Sequence, residues 1–364
     1  MTTAYIGIGS NLGTREDSIR GALKMLAETE HLKVTRVSDL IETTPLGDKN
    51  QPDYLNAVAE IKTTLSAEDL HKTLSHIETS LGRVRKAKWS PRIIDLDLLL
   101  FGRQIINRPD LTVPHPQMHL RSFVLSGLCQ FNAELLHPII KESMSELAAR
   151  LGGADFLPNP NLPQLVNVAG VIGVGKTTLT KKLSNSLGCR LLLESYDTNP
   201  FMPDVYAGKK ELALDSQLFF LTSRTGQLNR NTLTQGQIAI SDYIFDKELI
   251  YARRLLNARQ LHLYQKIYSA FGGFGAKVAQ PVLVIYLHDS AEKCLERIHK
   301  RNRPYEQEIE LQFLEELSAG YEQLFADWKT CPVIRISMSQ FDCTQDGDLQ
   351  HLANQIKYYA MTSD

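Results

Sequence analysis

The chain is poor in cysteine and lacks any pattern among the cysteines it has. Its five stand at 129, 189, 294, 331 and 343 of 364 residues. The number is odd and no two are in C-x-x-C spacing. That excludes a disulfide framework and a cysteine-ligated zinc site, and leaves reduced thiols of a cytosolic protein. No apolar run approaches the roughly 20 residues of a membrane-spanning helix. The start, Met1-Thr2-Thr3-Ala4-Tyr5, lacks a charged-then-apolar signal, so a cytoplasmic location without membrane partners is expected. Neither sign of charge prevails. Lys and Arg number 40 against 41 Asp and Glu, for a net charge of −1. Nothing here favours a nucleic-acid partner or an acidic tail. No internal repeat is visible. What remains is globular, with 43% hydrophobic and 22% charged residues, and a length that suits two domains with sizeable cores.

Against this background one segment is conspicuous. Gly170-Val171-Ile172-Gly173-Val174-Gly175-Lys176-Thr177 matches G-x-x-x-x-G-K-[ST] in full, after an apolar run and before a helix-like segment. Glycines let the backbone bend so that its N–H groups surround phosphate oxygens. Lys176 adds a point charge and the Thr177 hydroxyl can hold Mg²⁺. The N-terminus of the following helix favours the anion as well. A phosphate-binding loop opens its domain, yet 169 residues precede this one.

The segment 152–164, rich in Pro, Asn and Gly, reads as a linker between domains at 1–151 and 165–364. Before it, strand-like stretches at 4–8, 34–40, 54–61 and 93–101 mix with helical ones at 15–29 and 67–81, an α+β pattern. After it, short apolar strands at 165–169, 189–193, 238–241 and 282–287 alternate with helices. That is an α/β domain with a parallel sheet covered on both faces.

In the first half, alternation along PRIIDLDLLLFG (91–102) puts Asp95 and Asp97 on one strand face. Two carboxylates so spaced can hold a hard cation such as Mg²⁺, or they are the wet face of an amphipathic strand. The basic run 82–92, with Trp89, is either a polyphosphate partner or a solvated loop. AYIGIGSNLG (4–13), TTPLG (43–47), QPDYLNAV (51–58), GRVR (82–85), PRIIDLDLLLFG and LTVPHPQMHLRSFVL (111–125) together resemble hydroxymethyldihydropterin pyrophosphokinase. The resemblance implies a ferredoxin-like α+β fold and transfer of diphosphate from ATP to a reduced pterin with Mg²⁺. It implies Asp95 and Asp97 on the metals, and Arg83, Arg92, His115 and Arg121 on the triphosphate. Trp89 would close the site, and Thr43, Leu46, Tyr54, Asn56 and Phe123 would frame the pterin.

In the second half, Glu194 falls at the end of a strand, where it is a general base or an exposed acid. Gln217 and Arg224 lie two helical turns apart, as readers of a nucleobase edge or as surface polars. Arg297, Arg301 and Arg303 cluster as a phosphate lid or a basic helix end. The P-loop, the stretch 191–206, the Q-x6-R pair and the R-x3-R-x-R-x-x-E run resemble the deoxynucleoside kinase family. The resemblance implies a P-loop kinase fold and Glu194 as the base. Tyr206 and Glu306 would hold the sugar 3′-hydroxyl, and Gln217 and Arg224 the nucleobase. Gly170, Gly173, Gly175, Lys176, Thr177, Thr178, Arg297, Arg301 and Arg303 would hold the nucleotide phosphates and Mg²⁺. The substrates are then a reduced pterin, a deoxynucleoside and ATP, and a homodimer through the second half is admitted. Two departures stand out. Ser195 follows Glu194 where a Pro is usual, and Ser241-Asp242-Tyr243 replaces an acid-Arg-Ser triplet. They leave a non-catalytic nucleotide-sensing module, or a nucleoside monophosphate kinase, as alternatives for this half.

Overall fold

The computed structural model describes residues 1–46, 50–84, 90–272 and 278–360. The chain forms two compact units that divide between Leu157 and Pro158.

The first unit holds β1 (Thr2–Ser10), α1 (Arg15–Glu28), β2 (Leu32–Val37), β3 (Ile41–Thr43), β4 (Tyr54–Thr63), α2 (Ala67–Ser80) and β5 (Asp95–Phe101). The pair β6 (Ile106–Asn107) and β7 (Thr112–Val113) follows, then α3 (Ser122–Asn132) and α4 (Met144–Leu151). Its main sheet is antiparallel in the order β2-β4-β1-β5, with β3 added to β4. Apolar residues at helical spacing make α1 amphipathic, and Ile19, Ala22 and Leu26 enter the core with Ile6, Ile8, Leu70 and Leu74. Ser66 caps α2 by accepting the Asp69 N–H at 3.1 Å. The stretch expected as one strand over 34–40 is interrupted. Ser38 spends its N–H and hydroxyl on the backbone of Val58, so β2 ends at Val37 and β3 begins afresh at Ile41.

The second unit holds β8 (Gln164–Ala169), α5 (Lys176–Leu187), β9 (Arg190–Leu192), α6 (Met202–Tyr206), α7 (Ala213–Gln227), β10 (Ile238–Ser241), α8 (Glu248–Leu255) and α9 (Ala258–Gly272). It continues with β11 (Leu283–His288), α10 (Ala291–Arg301), α11 (Leu311–Ala326), β12 (Val333–Ser337) and α12 (Asp346–Tyr359). All five strands are parallel, in the order β12-β11-β8-β10-β9. β8 is central and buried along its whole length, its polar Gln164 and Asn167 included. The segments after β8, β9 and β10 leave from one edge of the sheet, where open α/β sheets bind ligands. No helix among the described residues is long and apolar enough to cross a membrane.

Candidate active sites

In the first unit, strand register assembles the site. Gly9 of β1 stands opposite Asn56 of β4 on one side and Asp95 of β5 on the other. Residues directly opposite share a sheet face. An amide and a carboxylate therefore occupy one row with an open centre. A Cβ at Gly9 would stand 2.7 Å from Asn56 Oδ1, so the opening depends on glycine. Gly7 likewise stands opposite Asp97, with Val58 on its other side. On the amide side, Asn56 Nδ2 donates to Thr43 Oγ1 at 2.7 Å, and Tyr54 faces Thr43 in the ladder. Leu46 lies in the bend after β3 and Phe123 in the first turn of α3, both half-buried.

On the carboxylate side, Asp95 pairs with Arg83 at 2.5 Å and Arg92 at 2.7 Å. Burial and the neighbouring Asp95 push the Asp97 carboxyl up, against the charges of His115, Arg92 and Arg83. Arg121 feels Asp155 and Asp97, although burial pulls its guanidinium down. His115 is fixed by its backbone N–H on Leu99 O and accepts the Gln117 N–H at Nδ1, 3.3 Å. Thus Asp95, Asp97, Arg83, Arg92, His115 and Arg121 are brought together. Trp89 lies outside the described residues. Two carboxylates are the metal donors on offer, and no group of three or more His, Cys, Asp or Glu gathers among the described residues. Such a hard-oxygen pair fits Mg²⁺ shared with substrate phosphates rather than a closed protein cage.

Two residues here escaped sequence reasoning. Glu78, buried at the end of α2, accepts the Leu96 N–H at 2.7 Å and also pairs with Arg83, and burial pushes its carboxyl up. Asn11 Oδ1 accepts the Arg92 N–H at 2.8 Å, while the Asn11 N–H donates to Arg92 O. The motif SNLG contains Asn11, but only the fold shows its partner.

In the second unit, the P-loop joins β8 to α5. Gly170, Gly173 and Gly175 have φ of 138°, 82° and 106°, conformations that disfavour any side chain. Lys176 is buried and donates from Nζ to Val171 O at 2.7 Å, and burial lowers its pKa. Thr178 is exposed in the first turn of α5. Thr177 Oγ1 donates to Asp242 Oδ2 at 2.6 Å, and Asp242 Oδ1 accepts the Glu194 N–H at 2.8 Å. One side chain thus ties the phosphate loop to Glu194.

Beside the cations that hold Glu194 lies a cavity whose lining includes Tyr196, Gln217, Phe220, Arg224, Lys247 and Tyr251, with Tyr206 at its side. Its aromatic walls suit a planar ligand. Gln217 and Arg224 both face it, as their spacing on α7 predicts. Gln217 is 4% exposed and its Oε1 has no partner among the described residues. Arg224 differs from the expectation of a base reader. Its guanidinium is held by the buried carboxylates of Glu194 and Glu248, with Phe220 beneath it at 4.8 Å. A buried guanidinium needs counter-charge more than a neutral base can supply. Tyr206 packs on Tyr305, ring centres 5.9 Å apart. Glu306 is buried and pairs with Arg301 and Arg303, whereas Arg297 leaves that group for Asp289 at 2.5 Å. The three lid arginines are therefore not one cluster. Lys247, absent from the expected set, places Nζ 2.7 Å from Glu194 Oε2.

Residues 5–133 match the family described as 7,8-dihydro-6-hydroxymethylpterin-pyrophosphokinase, and residues 166–359 match the family described as deoxynucleoside kinase. Among relatives of the first half, the 2-amino-4-hydroxy-6-hydroxymethyldihydropteridine pyrophosphokinase of Haemophilus influenzae is 42% identical over 151 residues. That match covers 41% of this chain and 94% of the relative. The enzyme of the same description from Bacillus subtilis is 44% identical over 142 residues, 39% of this chain and 83% of the relative. A deoxyadenosine kinase structure from M. mycoides with bound dATP is 23% identical. It aligns with 53% of this chain and 98% of its own, with a TM-score of 0.45. The chain is a fusion of two ATP-dependent transferases. It belongs to the pterin pyrophosphokinase family through its first unit and to the deoxynucleoside kinase family through its second.

Proposed function

We propose that the first unit transfers diphosphate from ATP to the hydroxymethyl group of 6-hydroxymethyl-7,8-dihydropterin, and that the second phosphorylates a deoxynucleoside at its 5′-hydroxyl. For the first, the row Asn56–Gly9–Asp95 carries the reading. It offers a donor–acceptor edge for a flat heterocycle on one side and metal-binding carboxylates on the other. The antiparallel order β2-β4-β1-β5 supports a ferredoxin-like domain. Asp95 and Asp97 would hold Mg²⁺, which when bound neutralises charge on the transferring phosphates. Arg83, Arg92, His115 and Arg121 would orient the triphosphate. Such transfer needs positioning and charge neutralisation rather than a covalent nucleophile.

For the second unit the carrying observation is Asp242, bonded to both Thr177 and Glu194. The phosphate loop and the proposed base meet there, with the aromatic cavity beyond. Glu194 would take the 5′-hydroxyl proton, Gln217 would meet the base edge through its unpaired Oε1, and Tyr206 and Glu306 would hold the sugar. Lys176, Thr177 and the lid arginines would serve the phosphates. A non-catalytic nucleotide sensor is favoured by one observation, the Tyr243 that stands where the family's triplet has Arg.

The test is ADP release by the intact chain with Mg²⁺–ATP, offered the reduced pterin or a panel of deoxynucleosides, for wild type and Asp97→Ala. Wild type is expected to turn over the pterin and at least one deoxynucleoside. Asp97→Ala should lose only the pterin activity. Retention of that activity at saturating Mg²⁺ removes the carboxylates from the mechanism. Tight nucleotide binding without turnover of any deoxynucleoside makes the second unit a sensor.

A further inference from the structure

The resemblance implies an acid-Arg-Ser triplet after the third strand, and this chain has Tyr243 where the Arg would stand. Tyr243 is buried and points elsewhere. Its hydroxyl donates to Gln227 Oε1 at 2.9 Å, and Gln227 Nε2 donates to Leu193 O and Ser195 Oγ, each at 3.2 Å. Ser195 in turn meets Ser223 at 2.8 Å. The two departures from the family pattern, at 195 and 243, are thus members of one neutral hydrogen-bonded group beside Glu194.

The charge is supplied from further along. After β10 the chain turns through a 3-10 segment, Phe245–Lys247, and delivers the Lys247 ammonium to both oxygens of Glu194, at 2.6 Å from Oε1 and 2.7 Å from Oε2. Lys247 is 1% exposed. The Tyr251 and Tyr196 rings lie 5.0 and 5.8 Å from its Nζ, within reach of cation–π attraction. Around it stand two further cations, Arg224 from α7 and Lys176 from α5, and three carboxylates, Glu194, Asp242 and Glu248. Arg224 is shared between Glu194 and Glu248, and Glu248 also accepts from Tyr264. Lys247 is therefore the cation that Glu194 does not share with another carboxylate.

We propose that Lys247 is the positioning residue for Glu194, fixing both carboxylate oxygens and keeping the group ionised in a dry site while it acts on the substrate hydroxyl. This rests on the reading of the second unit as a deoxynucleoside kinase. Lys247 lines the cavity beside Tyr196 and Tyr251, but its ammonium is spent on the two oxygens of Glu194, and it acts through them. An ionised base in a desolvated pocket needs a fixed counter-charge, because reorientation by water is not available there.

A lysine also leaves a signature that an arginine would not. Burial pushes the Lys247 ammonium down to about 8, even with Glu194 beside it. Above that pH the counter-charge is lost, whereas a guanidinium stays charged. The experiment follows nucleoside phosphorylation by the intact chain from roughly pH 6 to pH 10, for wild type, Lys247→Met and Lys247→Arg. At neutral pH, Lys247→Met should lower kcat by about 10–100-fold, the usual effect of removing a group that orients a functional one. The nucleoside KM should stay within about threefold, since the Lys247 ammonium is bonded to Glu194 and methionine keeps an apolar wall at that place in the cavity. Lys247→Arg should recover most of kcat and lose the alkaline limb expected of wild type. Lys247→Met with wild-type kcat, or Lys247→Arg with the wild-type alkaline limb, overturns the assignment. If Lys247→Met does not fold, Lys247→Arg decides it alone. If wild type phosphorylates no deoxynucleoside, the kinase reading itself has failed, an outcome distinct from either variant result.

Discussion

Replacing Glu194 by Gln removes one negative charge from between two buried cations. Arg224 keeps Glu248, but Lys247 is left with a neutral amide oxygen. Removing one partner of a buried pair costs about 3–5 kcal/mol, and the surviving Arg224–Glu248 pair argues for the lower end, about 3. For a unit of about 200 residues, each kcal/mol moves Tm by about 2–4 °C, so the second unit should melt about 6–12 °C earlier. The pH dependence is as specific. Burial alone would raise the Glu194 carboxyl, but Arg224 and Lys247 bring it down to about 2. Its unfolded value is about 4.3. A carboxyl lowered on folding contributes stability that is present above the unfolded pKa and lost as pH falls through the folded one. The gap in Tm between wild type and Glu194→Gln should therefore be full above about pH 4 and close toward about pH 2. Below its Tm the variant should turn over nucleoside about 10²–10⁴-fold more slowly, as loss of a general base predicts. Calorimetry of the intact chain at several pH values, with ADP release at a temperature where both proteins are folded, measures all three. A variant that melts with wild type at neutral pH refutes the ion network. One that melts early but turns over normally leaves the network and removes Glu194 as base, with Asp242 next in line.

A chain ending at Leu157 should fold cooperatively and form pterin diphosphate without the rest, because its core is built from its own residues; an insoluble or inactive product, with the intact chain active, refutes separability. Gly173→Ala should abolish ATP binding by the second unit and spare pterin turnover. Gly173 has φ 82°, and its added Cβ would run into the carbonyl oxygen of Cys294. The backbone strain alone is about 1–3 kcal/mol, and titration with a fluorescent ATP analogue reads the loss.

Features held within a few residues were open to sequence reasoning, and features made by distant contact were not. The P-loop at 170–177 is legible because glycine spacing, Lys176 and Thr177 all serve one local backbone shape. Asp95 and Asp97 share a face because strand geometry alternates over any two residues. Gly9, by contrast, matters only through its neighbours in the sheet, Asn56 and Asp95, which are remote in sequence. Lys247 lies in a short turn of ordinary composition, and its bond to Glu194 spans 53 residues. β12 is not legible as a strand because Arg335 interrupts a short apolar run; the fold tolerates it by laying the guanidinium over Tyr286 and pairing it with Glu322. The break between β2 and β3 turns on a serine whose partner, Val58, lies 20 residues away.

The division between Leu157 and Pro158 falls within one polypeptide, and that has a consequence for gene dosage. Two catalytic units translated together are made in a fixed ratio of one to one. Expression level cannot favour pterin chemistry over nucleoside chemistry, so any imbalance between the two fluxes has to be written into the kinetic constants of each site. Both draw on the same pool of ATP. A premature stop in the first unit removes both activities, whereas one in the second leaves the codons of the first intact. Selection acting on either enzyme therefore reaches the other through the message that encodes them.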